Sequence, residues 1–162
     1  MAGIPIYETA ILPEWIDYNG HLRDGYYGLI VSLATDALMD RVGLDAAYRA
    51  RTGCTLYTLE MHLHYLHEVH CSDTVMVSVR IEGADHKRIH ATFEMRRVGH
   101  PAVAATTEVV LLHVRQSSDG VAAAPFPPEV SAAVAELQAA SVALPAEGPG
   151  SRRMGLRPST SP

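Results

Sequence analysis

The chain is expected to fold as an α+β domain. Three features of the sequence say so: one long, apolar, helix-patterned segment near the N-terminus, a run of four strand-patterned segments after it, and a second helix-patterned segment beyond them. The 162 residues amount to one domain of ordinary size. Hydrophobic residues make up 48% of the chain and charged residues 19%, the balance of a folded domain rather than a disordered one.

The elements follow in order. Ile4 to Leu12 reads as a short strand ending at Pro13, and Trp15-Ile-Asp-Tyr-Asn-Gly-His21 as a loop mixing aromatic and turn-forming residues. From Asp24 to Val42 apolar groups recur at Tyr26, Ile30, Leu33, Ala34, Ala37 and Leu38, a helical spacing, with Asp24 as the expected N-cap and Gly43 as the stop. The opposite face carries Leu29 and Val31, so the helix should be enclosed by other structure. A shorter helical stretch spans Asp45 to Arg51.

Four strands are then expected at Thr55 to Val69, Thr74 to Gly83, Lys87 to Val98 and Ala102 to Arg115. In the first three the odd positions are mostly apolar, among them Tyr57, Leu59, Met61, Leu63 and Tyr65, so one sheet face should be buried and the other wetter. Turn signals at Ser72-Asp73, Gly83-Ala-Asp85 and Gly99-His-Pro101 make the strands consecutive and antiparallel. Glu129 to Leu144 reads as an amphipathic helix. Residues 1–145 form the expected domain, and residues 146–162, rich in Gly, Pro, Ser and Arg, a flexible tail. The order is that of a hotdog fold: a five-stranded antiparallel sheet wrapped around one central helix, plus a C-terminal helix. Such a sheet leaves an edge strand open, so a homodimer or homotetramer is expected.

A net charge of −5 argues against nucleic acid or an anionic membrane as the main partner. No apolar run approaches the ~20 residues of a membrane span. Cys54 and Cys71 cannot build a disulfide framework, and the first residues lack the features of a signal peptide, so a cytoplasmic location is expected.

The densest set of chemistry-bearing groups is Asp17-Tyr-Asn19-Gly-His21. It places a carboxylate, an amide and an imidazole before a helix whose first N–H groups, at Asp24 and Gly25, can hold an oxyanion. Hydrolysis of an acyl ester or thioester needs a base or nucleophile, a carbonyl-polarising donor and positioned water, and these residue types supply all three. The competing reading is structural: Asp17 and Asn19 fold an Asx-turn and His21 is an ordinary loop residue. A second constellation, His62-Leu-His64-Tyr-Leu-His67-Glu68-Val-His70, offers His62, His64 and Glu68 as cupin-like metal ligands, against a reading as wet-face strand histidines. No second cupin half follows it. Cys54 and Cys71 lack matched partners for nucleophilic work, and Glu108 and His113 are left unassigned.

The stretches Pro13 to Tyr27, Thr52 to His62, Tyr65 to Val69, Asp85 to His90, Ala105 to Glu108, Leu112-His113 and Ala124 to Val130 resemble the 4-hydroxybenzoyl-CoA thioesterase-like hotdog family. Within it the likeness is to the betainyl-CoA thioesterases of carnitine catabolism, and it covers residues 5 to 130. The resemblance implies an acyl-CoA substrate, no separate cofactor and no metal, with Asp17 as the catalytic carboxylate assisted by Asn19 and His21. Arg23 stands where related sequences often have Asn. A trimethylammonium acyl group needs aromatic faces, for which Trp15, Tyr18, Tyr26, Tyr27 and Tyr57 are candidates with Glu60 as a counter-charge. Lys87 and Arg88 are candidates for the phosphates of coenzyme A.

Overall fold

The computed structural model describes residues 3–142 and Leu144; the expected tail, residues 146–162, lies outside them. The elements run β1 (Ile4–Ala10), a 3-10 turn (Pro13–Trp15), α1 (Asp24–Arg41), α2 (Ala46–Thr52), β2 (Cys54–Tyr65), β3 (Thr74–Ala84), β4 (Arg88–Arg97), β5 (Val103–Ser117), β6 (Gly120–Ala123) and α3 (Pro128–Val142). The strands form one antiparallel sheet in the order β1-β3-β4-β5-β2, with β6 paired to the far end of β5. This is the hotdog arrangement, with β6 as a sixth strand that the sequence reading did not anticipate. It is a four-residue return leg, too short to show a period.

The alternation on β3 and β4 is kept: Val75, Val77, Val79, Ile81, Ile89, Ala91, Phe93 and Met95 are all buried. They form one core with Tyr27, Ile30, Val31, Ala34, Leu38 and Met39 of α1. The buried stripe of α1 is therefore rotated from the one read from spacing: Tyr27, Val31 and Met39 are buried, Tyr26, Leu33 and Ala37 are half-buried, and Leu29 is exposed, so the helix is not enclosed on every side. The start of α1 differs from expectation. Arg23 is the N-cap, with extended backbone and no side-chain cap, and Asp24 is the first helical residue. The preceding chain decides this, because the N–H groups of Leu22 and Arg23 donate to the carbonyls of Val69 and Trp15, holding Arg23 extended up to the first turn. At α2 the cap is Asp45, read from sequence as the first helical residue, whose Oδ1 accepts from the Tyr48 N–H at 2.7 Å. Gly53 closes α2 with φ +67, and a Cβ there would stand 2.9 Å from the Gln116 carbonyl oxygen, so both conformation and space call for glycine.

β2 departs most from the simple pattern. Its register with β5 shifts between Thr58 and Glu60, a bulge at Leu59, and a one-residue insertion moves every later side chain to the other face. Leu56 and Thr58 pair with His113 and Leu111, whereas Met61 and Leu63 pair with Val109 and Thr107. Tyr57 is thus on the opposite face from Met61, Leu63 and Tyr65, and the odd positions of β2 do not share one buried face. Leu59, Met61 and Tyr65 are exposed. Among the described residues β2 pairs only with β5 and ends the sheet. At the other edge, β1 accompanies β3 only as far as Val79. Beyond it α3 takes over: Ser141 Oγ accepts the Ile81 N–H at 3.1 Å and donates to the Leu137 carbonyl at 2.8 Å. A sheet edge is covered in this way by a helix.

Candidate active site

Residues 15–23 fold back on themselves. The Asp17 N–H donates to the His21 carbonyl at 2.8 Å, the Gly20 N–H to the Asp17 carbonyl at 3.1 Å, and the Arg23 N–H to the Trp15 carbonyl at 3.0 Å. Gly20, at φ +83, takes the left-handed conformation that the turn requires. The return leg is pinned to the segment after β2 by the Leu22 N–H on the Val69 carbonyl and by a β-bridge between His21 and His70. Residues distant in sequence are thereby set side by side at one end of the sheet, next to the start of α1.

Asp17 is the hub of this loop. Its Oδ1 accepts the Asn19 N–H at 2.8 Å and the His21 N–H at 3.2 Å, so the turn-forming reading of this carboxylate is met. The same residue lines a cleft of about 370 Å³ with His21, Leu22, Asp24, Tyr27, Tyr65, Leu66, His67 and Glu68. Burial works to raise the Asp17 pKa, but the N–H groups of His21 and Asn19 and the nearby His21 ring outweigh it and leave the carboxyl below its ordinary value. It is a carboxylate at neutral pH, suited to act as a nucleophile or general base rather than as an acid. His21 Nε2 stands 3.3 Å from Glu68 Oε2.

The mouth of the cleft is aromatic and acidic together. The rings of Tyr27 and Tyr65 meet edge to face with centroids 5.1 Å apart. Burial raises the Tyr27 hydroxyl pKa and, with the Asp24 charge, that of Tyr65, so both phenols stay neutral. Tyr65 Oη donates to the Asp24 carbonyl at 3.3 Å, tying the end of β2 to the start of α1. The Gly25 N–H donates to Asp24 Oδ1 at 2.8 Å, so one of the two expected oxyanion donors is engaged by the neighbouring side chain.

The other expected site residues are dispersed. Asn19 is exposed beside Asp17, and Tyr18, on the same loop, is 93% exposed. Trp15 and Tyr26 stack on each other at 5.6 Å and pack on the core. Tyr57 is eight residues from Tyr65 along β2, about 26 Å at ~3.3 Å per residue, and its hydroxyl accepts from Gln116 Nε2. Glu60 lies with His62 and Glu108 in a small hollow on the outer face of the sheet. Lys87 and Arg88 are in the β3–β4 turn, held by Asp85. Its Oδ1 accepts both of their N–H groups and its Oδ2 pairs with the Arg88 guanidinium, which together keep the Asp85 carboxyl well below its ordinary range. Arg88 pairs with Leu112, which pairs with Tyr57, so this turn is at the opposite end of the sheet from Asp17. A groove of about 400 Å³ lies there, lined by Asp85, Arg88, His90 and Glu108.

The cupin-like set is not assembled. His62 and His64 lie on β2, paired with Glu108 and Thr106, while Glu68 is with His21 and His70. The cleft residues that sequence alone does not single out are Leu22, Tyr65, Leu66 and His67, while Glu68 is expected from sequence only as a cupin-like metal ligand. Their signal lay in the Tyr65 to Val69 stretch, where strand alternation stops and polar groups follow. His113, unassigned from sequence, is buried and structural: its ring nitrogens meet Tyr48 Oη at 3.1 Å and the Ala124 carbonyl at 2.9 Å.

The chain resembles known proteins over most of its length. The family model described as the Thioesterase-like superfamily matches residues 11–134, a span holding the loop, the cleft and the whole of β2 to β5. A betainyl-CoA thioesterase of Pseudomonas aeruginosa (strain PAO1) is 49% identical over 153 residues, 94% of each chain. An L-carnitine dehydrogenase/betainyl-CoA thioesterase of Agrobacterium fabrum (strain C58) is 36% identical over 83% of this chain, which spans 27% of that longer protein. Among solved structures, the hypothetical protein SAV2348 of Staphylococcus aureus in complex with CoA superposes with a TM-score of 0.82 at 25% identity, covering 97% of this chain and 98% of that one. With a family match over most of the chain and a close relative aligned end to end, the chain belongs to the thioesterase-like superfamily.

Proposed function

We propose that the chain is an acyl-CoA thioesterase that hydrolyses betainyl-CoA to betaine and coenzyme A, acting in the cytoplasm in carnitine degradation and needing no cofactor beyond the CoA of its substrate. The observation that carries the acyl specificity is the lining of the Asp17 cleft. Three carboxylate residues (Asp17, Asp24 and Glu68) and two tyrosine rings (Tyr27 and Tyr65) surround one opening. A quaternary ammonium group gains from both aromatic faces and negative charge, whereas an acyl group ending in a carboxylate is repelled there.

In this reading the Asp17 carboxylate takes a proton from water, or attacks the thioester carbonyl itself. On the first route the water oxygen adds to the carbonyl carbon, the carbonyl oxygen takes the negative charge, and its collapse breaks the C–S bond and expels the CoA thiolate, which takes the proton held by Asp17. On the second the Asp17 oxygen adds in the same way and the thiolate leaves a mixed anhydride, which water then hydrolyses to free betaine and the carboxylate. The first-turn N–H groups of α1 at Asp24 and Gly25 receive the oxyanion, aided by the positive end of the helix, once the Asp24 side chain releases the Gly25 N–H. Asn19 and His21 orient the water or the carbonyl.

The working unit in this reading is a homodimer joined along the exposed edge of β2. Antiparallel pairing of two β2 strands brings the Tyr57 end of one copy to the Tyr65 end of the other. The β3–β4 turn of the partner then approaches the cleft, and its Lys87 and Arg88 face the phosphates of CoA.

The deciding experiment compares betainyl-CoA with 3,3-dimethylbutanoyl-CoA, which has the same shape with carbon in place of the charged nitrogen, in a thiol-release assay with and without Asp17→Asn. Turnover of betainyl-CoA well above that of the neutral isostere, abolished in Asp17→Asn, is the expected result. Equal turnover of the two removes the cationic specificity, and full activity in Asp17→Asn removes the mechanism.

A further inference from the structure

At the rim of the cleft, three side chains converge beyond what hydrolysis requires. His21 Nε2 is 3.3 Å, and His70 Nε2 3.9 Å, from the same Glu68 Oε2. One ligand atom from each residue lies within 4.8 Å of the other two, and this is the one such group found among the described residues. In a tetrahedral zinc site with bonds of about 2.0–2.1 Å, ligand atoms stand roughly 3.4 Å apart. The arrangement is therefore within small side-chain movements of a chelating set.

The backbone prepares it. The β-bridge between His21 and His70 sets the two imidazoles side by side, with ring centroids 5.0 Å apart, so little chain ordering is left for a bound ion to impose. Behind His70, Nδ1 lies 3.7 Å from Asp73 Oδ2. Asp73 is itself held by the His70 N–H at 2.8 Å and by Arg97 Nη1 at 3.4 Å. A carboxylate on the far side of the ring is the usual support of a metal-ligating histidine. Arg97 Nη1 lies 3.5 Å from Nδ1 of His70, on the side of the ring where Asp73 pairs with it and offsets its charge. Side-chain exposures of 33% for His21, 46% for His70 and 67% for Glu68 leave an approach for an ion and for water in the fourth position. Two imidazoles and one carboxylate suit Zn²⁺ and its neighbours in the transition series rather than the all-oxygen preference of Mg²⁺ or Ca²⁺.

We propose that His21, Glu68 and His70 form a reversible site for a divalent transition-metal ion, Zn²⁺ foremost, and that a bound ion shuts down hydrolysis by tying up the two of these residues, His21 and Glu68, that line the cleft. The inhibitory half rests on that cleft being the acyl site; the binding half stands without it.

The test titrates the purified full-length protein with Zn²⁺ alone, against a chromophoric chelator, for wild type, His70→Ala and Glu68→Gln. One ion per chain is expected for the wild type, with affinity lower by at least about 10- to 100-fold in each variant, since losing a direct ligand costs no less than losing a residue that supports one. Both substitutions are at exposed side chains, so two independent variants read the same site. Equal affinity in wild type and variants, or no binding, overturns the site. Hydrolysis of betainyl-CoA with EDTA present should be equal in wild type and His70→Ala, and added Zn²⁺ should inhibit only the wild type. Binding with undiminished hydrolysis overturns the inhibitory role. A protein that hydrolyses no thioester at all fails the functional reading, and the Zn²⁺ titration still decides the site.

Discussion

Tyr65, the last residue of β2, stands edge-on to Tyr27 in the first turns of α1, with ring planes at 88° and centroids 5.1 Å apart. One ring is on the sheet's open edge strand and the other is buried in the core, so the pair closes the corner between sheet and helix where Asp17 and Asp24 line the cleft. Replacing Tyr65 with Leu should raise the KM for betainyl-CoA by about 2- to 30-fold, the range corresponding to one cation–π contact of ~0.5–2 kcal/mol. The KM for the neutral 3,3-dimethylbutanoyl ester should stay nearly constant. Steady-state kinetics with the two esters checks this.

Asp17 has two tasks that different substitutions separate. Asp17→Asn keeps an oxygen to accept the Asn19 and His21 N–H groups but not the charge, so the melting temperature at neutral pH should fall only slightly while kcat falls by about 10²- to 10⁴-fold, the usual worth of a positioned acid–base group. Asp17→Ala removes the acceptor as well and should lower both. Thermal melts beside thiol-release kinetics distinguish the two effects.

The pH dependence has a definite sign. The carboxyls of Asp17 and Asp73 lie below their ordinary value of 3.8. Burial works to raise both, and the N–H groups facing them, with Arg97 also acting on Asp73, overcome it. A lowered folded-state pKa contributes stability that is fully present above the unfolded value and is lost as pH falls through the folded one. Melting temperature should therefore be level from neutral pH down to about the ordinary carboxylate range and fall below it. Asp17→Asn should flatten part of that fall.

The open edge of β2 predicts an assembly. Leu59→Lys together with Met61→Lys puts two charges on the edge strand at side chains that are already exposed in one chain, so the fold should persist while edge pairing fails. Light scattering after gel filtration should report a dimer for the wild type and a monomer for the double variant, and thioesterase activity should fall with dimer loss. Undiminished activity in a monomer would remove the partner from the active site.

Away from the cleft, Tyr48→Phe leaves one nitrogen of the buried His113 ring without its hydroxyl partner. The cost should be about 1–3 kcal/mol of stability, the usual penalty for a buried polar group deprived of its partner, with kcat and KM unchanged. Ser141→Ala should behave similarly, because it strips the Ile81 N–H of its acceptor at the edge of β3. Urea unfolding with parallel kinetics reads both.

Much of this was legible along the chain because it depends on local spacing. The apolar repeat from Tyr26 to Leu38 marks α1, and the alternation of Val75 to Ile81 and Ile89 to Met95 marks two strands sharing a buried face. Asp17-x-Asn-x-His21 sits where a loop meets a helix start, and periodicity and turn chemistry are written into neighbouring residues. What depended on contacts between distant segments was not written there. The bulge at Leu59 turns Tyr57 away from the face that Tyr65 shares, and no residue type announces it. The bridge of His21 to His70 and the hydrogen bond of Leu22 to Val69 carry Glu68 and Tyr65 to Asp17. Those pairings exist only once the sheet has fixed where β2 ends relative to the start of α1, so the cleft's aromatic and acidic lining was decided by tertiary structure.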